Sequence, residues 1–139
     1  MTVLAAMCPN IRIIICDVNQ KNFDDWESGI VPFYETDMHH VLHSPGVLGQ
    51  CLCFSEDIEE TLEQAKVIIV VIDISVDKVN EGYRHNLAKW RDSWQWVVQP
   101  DNDNKLVIDK SNMPPDALSM VEEYCENGGV NLAVVFNPE

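Results

Sequence analysis

Three short runs of aliphatic and β-branched residues constrain this chain more than anything else in it. They are Ile11-Arg12-Ile13-Ile14-Ile15-Cys16, Val67-Ile68-Ile69-Val70-Val71-Ile72 and Leu132-Ala133-Val134-Val135-Phe136. Runs that are apolar almost without alternation suit strands buried on both faces of a parallel sheet. Weaker candidates at Cys51 to Phe54 and Lys105 to Ile108 bring the expected strands to five.

Helical spacing fills the intervals. From Asn19 to Ser28, Phe23 and Trp26 share a face; from Glu35 to His43, Met38, Val41 and Leu42 do. Ser55-Glu56-Asp57-Ile58 opens a third helix, with Ser55 as a natural N-cap and acidic residues in the first turn. Asn86 to Val98 gathers Leu87, Trp90, Trp94, Val97 and Val98 on one side. Pro114-Pro115-Asp116 starts a fifth helix that runs to about Asn127 and is ended by Gly128-Gly129. Alternating strand and helix predicts an α/β fold, a parallel sheet with helices on both faces. Ser44 to Gln50, Ser75 to His85 and Pro100 to Asn104 read as irregular. At 139 residues, with no linker or repeat, one domain around one core is expected.

Nine Lys and Arg against twenty-three Asp and Glu give a net charge of -14. That balance disfavours phosphate backbones and anionic membranes, so neither nucleic acid nor membrane is an expected partner. No apolar run is long enough to span a bilayer, and the opening residues lack the basic flank of a signal peptide, so the expected address is the cytoplasm. The five cysteines read as reduced thiols, with Cys8, Cys16 and Cys125 in or beside helix or buried strand. Cys51 and Cys53 point the same way on a strand, without the spacing of a zinc knuckle.

Met7-Cys8-Pro9-Asn10-Ile11-Arg12, Ile15-Cys16-Asp17-Val18-Asn19, Trp26 and Val31-Pro32-Phe33-Tyr34-Glu35 resemble the N-terminal region of the UDP-glucose 6-dehydrogenase family. The likeness continues through Leu52-Cys53-Phe54-Ser55, Lys110-Ser111-Asn112-Met113-Pro114 and Asn137-Pro138-Glu139, in family order. It implies a Rossmann NAD-binding domain, here incomplete. In that family a central helix and a UDP-sugar domain with the catalytic cysteine follow, and the reaction oxidises UDP-glucose to UDP-glucuronate with two NAD.

Position by position, the resemblance carries over unevenly. A dinucleotide site needs a glycine-rich turn whose backbone N–H groups approach the diphosphate at a helix N-terminus. This chain has none. Thr2 to Pro9 matches the back of the family's first helix, so the first strand and its glycines are expected upstream of Met1. Asp17 matches the carboxylate that receives the adenosine ribose. Where the family has an Asn-Thr-Pro turn beside the cofactor, this chain has Asp73-Ile74-Ser75, and an added carboxylate there would repel a diphosphate. Lys110 and Ser111 match a Lys-Ser-Thr motif whose Thr helps to position a catalytic water; the third position is Asn112. Glu139 matches a family acid/base carboxylate. No cysteine matches the catalytic thiol.

His39, His40 and His43 invite a metal reading, since 39 and 43 share a helical face, but zinc sites recruit a third protein ligand and solvated histidines are the expectation. Trp90, Trp94 and Trp96 are expected in core or interface rather than as a base-stacking platform.

The Rossmann order places the missing first strand in the middle of the sheet. Residues 11–16 and 67–72 would then each present an unpaired edge, and buried unpaired backbone groups cost about 1 to 3 kcal/mol apiece. The resulting expectation is a non-catalytic structural or assembly component, with no cofactor of its own. Three resolutions are open: the two strands pair directly, another segment of this chain moves into the slot, or a protein partner completes the sheet beside residues 11–16 and 67–72 by adding a strand. The competing expectation is residual NAD binding through Asp17, Lys110 and Ser111, or regulation of a full-length UDP-glucose 6-dehydrogenase.

Overall fold

Each of the three apolar runs forms a strand. The computed structural model describes residues 1–17, 38–79 and 82–138. The helix expected at 19 to 28, the start of the one expected from Glu35, and Glu139 lie outside them. The described residues divide into two compact units, Met1–Thr61 and Leu62–Glu139. Where the sequence suggested one core, each unit has its own hydrophobic cluster.

The first unit holds helix α1 (Thr2–Met7), strand β1 (Ile13–Cys16), helix α2 (Met38–Leu42), strand β2 (Leu52–Ser55) and the start of helix α3 (Ile58–Gln64). β1 and β2 pair in parallel, Ile13 opposite Leu52 through Cys16 opposite Ser55. Ala5 of α1, Leu42 of α2, Val47, Cys51 and Leu52 are buried together, with Ile13, Ile15 and Met38 packed against them. The irregular zone before β2 is a tight turn in which Gly46 and Gly49 take φ of 84° and 80°, a region costly for other residues. That turn delivers Val47 to the core.

Asp57, not Ser55, caps α3. Its Oδ1 accepts from the backbone N–H of Glu60 at 2.9 Å, whereas Ser55 Oγ accepts from the N–H of Asp57 at 3.2 Å. The helix starts two residues later than the serine would set it, because Ser55 is still part of β2.

The second unit contains β3 (Val67–Val70), β4 (Val76–Val79), β5 (Gly82–His85), helix α4 (Ala88–Val97), a 3-10 turn (Pro100–Asn102), β6 (Leu106–Asp109), helix α5 (Ala117–Gly128) and β7 (Ala133–Phe136). β3, β6 and β7 form a parallel sheet in that order. β4 and β5 form an antiparallel hairpin with Asp77 opposite Arg84, in the stretch from Ser75 to His85 that the sequence reads as irregular. The described strands are therefore seven rather than five.

Trp90, Trp94 and Val97 of α4 and Val121 of α5 bury themselves on Ile68, Val70 and Val107 of the sheet. Both indoles have no exposed surface, and burial of a tryptophan contributes on the order of 3 to 5 kcal/mol. α5 ends as the sequence predicts, with Gly129 at φ 66° in the left-handed cap. At the other edge of the core, Asn102 Nδ2 donates to the carbonyls of Trp96 and Val97 at the end of α4. Lys105 Nζ donates to the carbonyls of Leu62 and Glu63 at the end of α3 and to Asn102 Oδ1. A cation there satisfies orphan carbonyls and complements the negative end of the helix dipole.

Candidate functional site

Ligands of open α/β sheets bind beyond the carboxyl ends of the strands. In the second unit that rim is built where β3 runs out into Val71-Ile72-Asp73 and β6 into Lys110-Ser111-Asn112. The two strand ends are clamped together. Lys110 N donates to the carbonyl of Val70 at 2.9 Å, and Ile72 N donates to Ser111 Oγ at 3.0 Å. Asn137 N, after β7, donates to the carbonyl of Asp109 at 2.8 Å.

Beneath the rim lies a group that sequence reasoning missed. Asp109, the last residue of β6, is completely buried. Its Oδ2 accepts from Trp90 Nε1 at 2.7 Å and from Trp94 Nε1 at 3.1 Å, and its Oδ1 accepts from Ser111 N at 2.8 Å. One carboxylate thus links α4, β6 and the turn that carries Lys110 and Ser111. The available signal was an acidic residue closing an aliphatic strand, together with two tryptophans four apart on the helix before it.

The sequence-predicted positions fall as follows. Ser111 is buried and its hydroxyl oxygen serves the Ile72 amide, so it acts as a strand clamp. Lys110 is half-buried, Asn112 is exposed, and Asp73 is exposed on the same rim. Asp17 is exposed immediately after β1 in the first unit. Trp90 and Trp94 are core, as expected, while Trp96 is 40% exposed.

The thiols are free, with Cys51 buried and the other four half-buried. Burial pushes the Cys16 thiol up from its ordinary value, the nearby Asp57 carboxylate adds to this, and a hydrogen bond with the Thr61 side chain partly offsets it. Burial alone raises Cys125. Both are poor nucleophiles near neutral pH, because the thiolate is the reactive form. The His39 and His43 rings stack with centroids 4.1 Å apart, and His43 Nδ1 lies 2.9 Å from the carbonyl oxygen of His39. Among the described residues no group of three or more His, Cys, Asp or Glu could hold a metal ion. No helix among them is long and apolar enough to cross a membrane.

An NAD diphosphate requires glycine amides at a helix mouth, and the described residues do not fit it. The turn after β3 offers the exposed carboxylate of Asp73, and the hydroxyl oxygen after β6 is occupied by a backbone amide of the same chain. Asp17, the position the resemblance assigns to the adenosine ribose, is exposed directly after β1.

Comparison with known proteins agrees with this architecture. UDP-glucose 6-dehydrogenase 4 of Oryza sativa subsp. japonica is 26% identical over 143 residues, covering 100% of this chain and 29% of that protein. UDP-glucose 6-dehydrogenase of Rattus norvegicus is 28% identical over 99% of this chain and 29% of its own length. This chain therefore spans less than a third of the curated relatives it matches. Among solved structures, a UDP-N-acetyl-mannosamine dehydrogenase from S. aureus superposes with a TM-score of 0.82 at 17% identity, covering 99% of this chain and 32% of that one. The GDP-mannose dehydrogenase of Pseudomonas aeruginosa gives 0.78 at 18% identity, covering 99% and 33%. These likenesses establish a Rossmann-like fold, a parallel sheet with flanking helices. Residues 1–139 match the family described as UDP-glucose/GDP-mannose dehydrogenase, NAD binding domain, and the chain belongs to that family.

Proposed function

We propose that this chain is a non-catalytic member of its family, acting as a structural or assembly component through protein–protein contacts. The observation that carries this reading is the pairing of its strands. Among the described strands, β1 pairs with β2 alone and β3 with β6 alone. The other edge of each is a row of backbone donors and acceptors, a template for a strand supplied by another protein. The two edges are those that flank the first strand in a complete Rossmann sheet.

The rim chemistry supports the same conclusion. Ser111 is committed to holding strands, Asn112 lacks the hydroxyl of the family motif, and Cys16 and Cys125 are held as thiols. A second reading keeps some nucleotide affinity, or a regulatory role on a full-length UDP-glucose 6-dehydrogenase. Asp17 and Lys110 favour it.

Calorimetric titration of the chain with NAD and with UDP-glucose separates the two. The structural reading expects no heat of binding at micromolar ligand. Hydrogen exchange should then show β1 and β3 amides becoming protected when an extended strand peptide or a partner is added. Micromolar NAD affinity, or oxidation of a sugar nucleotide, overturns it.

A further inference from the structure

Asn127-Gly128 is the single Asn-Gly pair in the sequence. An asparagine side-chain amide is open to attack by the backbone nitrogen of the next residue, and glycine, with no Cβ, hinders that attack least. The pair sits in the last turn of α5, which two backbone hydrogen bonds close. Gly129 N donates to the carbonyl of Glu126 at 3.2 Å, and Val130 N donates to that of Cys125 at 3.1 Å. Gly129 holds φ at 66°, and Val130 beyond it is buried. Every group of this cap belongs to the second unit.

The cap opposes the reaction. To close a five-membered ring, Gly128 N and Asn127 Cβ must eclipse about the Cα–C bond, and a helical ψ near −42° turns them well away from that arrangement. Gly128 also directs its N–H along the helix ladder, whereas attack requires that proton to be given up. The last turn must therefore open first, and helix ends are where local opening costs least.

We propose that Asn127-Gly128 is a self-modification site, latent while the α5 cap is closed and reactive when that turn opens. In the open turn the Gly128 nitrogen gives its proton to hydroxide or a buffer base and forms a bond to Asn127 Cγ. The Cγ–Nδ2 bond breaks and ammonia leaves. Water then opens the cyclic imide at either carbonyl, giving aspartate or, with the chain rerouted through Cγ, isoaspartate. One water is taken up, one ammonia is lost, and no electrons are transferred.

Both products work against reclosure. Aspartate places a negative charge at the negative pole of the helix, four residues after Glu123, in a last turn that holds no basic residue. Isoaspartate lengthens the main chain by one methylene just before Gly128. That position has no slack, since even a Cβ on Gly128 would lie 2.7 Å from the carbonyl oxygen of Val98.

The test incubates the full chain in mildly alkaline buffer and follows it by peptide mapping with mass spectrometry and an enzymatic isoaspartate assay. Circular dichroism checks that each variant folds. The folded parent should lose the Asn127 amide more than about tenfold more slowly than the same chain in guanidinium chloride. Gly129→Ala puts a Cβ in the left-handed region and should speed the loss several-fold in the folded chain. Lys105→Met loosens a different part of the same unit and should leave the rate unchanged, while Asn127→Gln should remove the signal. Equal rates in the folded and unfolded chain overturn the proposal, as does an intact Asn127 in the folded chain while the unfolded one reacts. Equal acceleration by Gly129→Ala and Lys105→Met also overturns it, by assigning the opening to global unfolding. So does faster loss at Asn104 or Asn131 than at Asn127.

Discussion

The indole N–H of Trp90 meets the carboxylate of Asp109 at 2.7 Å in the centre of the second unit, and Trp94 donates to the same oxygen. The remaining carboxylate oxygen takes the backbone N–H of Ser111. Every acceptor of this buried group faces a donor, and no donor belongs to a cation.

Asp109→Asn should therefore destabilise the fold despite its near-identical shape. An amide has one accepting end, so whichever way it lies, its NH2 faces either two indole N–H groups or the Ser111 amide. A buried polar group left unpaired costs about 1 to 3 kcal/mol. Urea unfolding followed by far-ultraviolet circular dichroism should show a lower midpoint with unchanged slope. A midpoint equal to that of the parent chain would mean that the carboxylate is not the anchor described.

Gly128→Ala should also destabilise. In a helix interior alanine gains about 1 kcal/mol over glycine. Here a Cβ would lie 2.7 Å from the carbonyl oxygen of Val98, a backbone atom that cannot swing away. Relief of such overpacking costs on the order of 1 to 3 kcal/mol, so the sign reverses. A thermal scan that shows a rise in Tm would contradict the close approach.

Lys105→Met keeps the aliphatic stem but removes three hydrogen bonds, including those to the carbonyls ending α3. The expected loss is about 1 kcal/mol, with early amide exchange at Leu62 to Ala65. Burial lowers the lysine's pKa, while Glu63 and Asp101 pull it the other way. The folded state thus releases this proton before the unfolded chain does. Stability gains slightly as pH rises from the lowered value to the ordinary lysine range, and Lys105→Met should abolish that gain.

Cys16 and Cys125 carry the opposite slope. Their folded pKa values are raised, so their contribution is complete below the ordinary thiol range and is lost as pH climbs through the raised values. Cys16→Ala combined with Cys125→Ala should flatten the alkaline loss of stability. Iodoacetamide labelling at mildly alkaline pH should be slower at both residues in the folded chain than in urea.

Much of the fold was legible because its signals are local. The aliphatic runs gave β1, β3 and β7, and the spacing of Trp90, Trp94 and Val97 gave the buried face of α4. The β4–β5 hairpin was not legible, because Val76-Asp77-Lys78-Val79 and Gly82-Tyr83-Arg84-His85 lack apolar alternation and the pairing is what defines them. At the rim, Lys110 and Ser111 were found by motif. Asp109 was not, because its indole partners lie 15 and 19 residues away, and such a bond leaves no mark on the residues between.

The rim is satisfied from within. Its turn is anchored by indoles, a neighbouring strand's amide and a serine of the same polypeptide, and among the described residues no buried side-chain nitrogen or oxygen lacks a hydrogen-bond partner. A mouth that depended on nucleotide to neutralise its dipoles would lose its shape without one. This one is self-supporting, so its outline needs nothing bound to it.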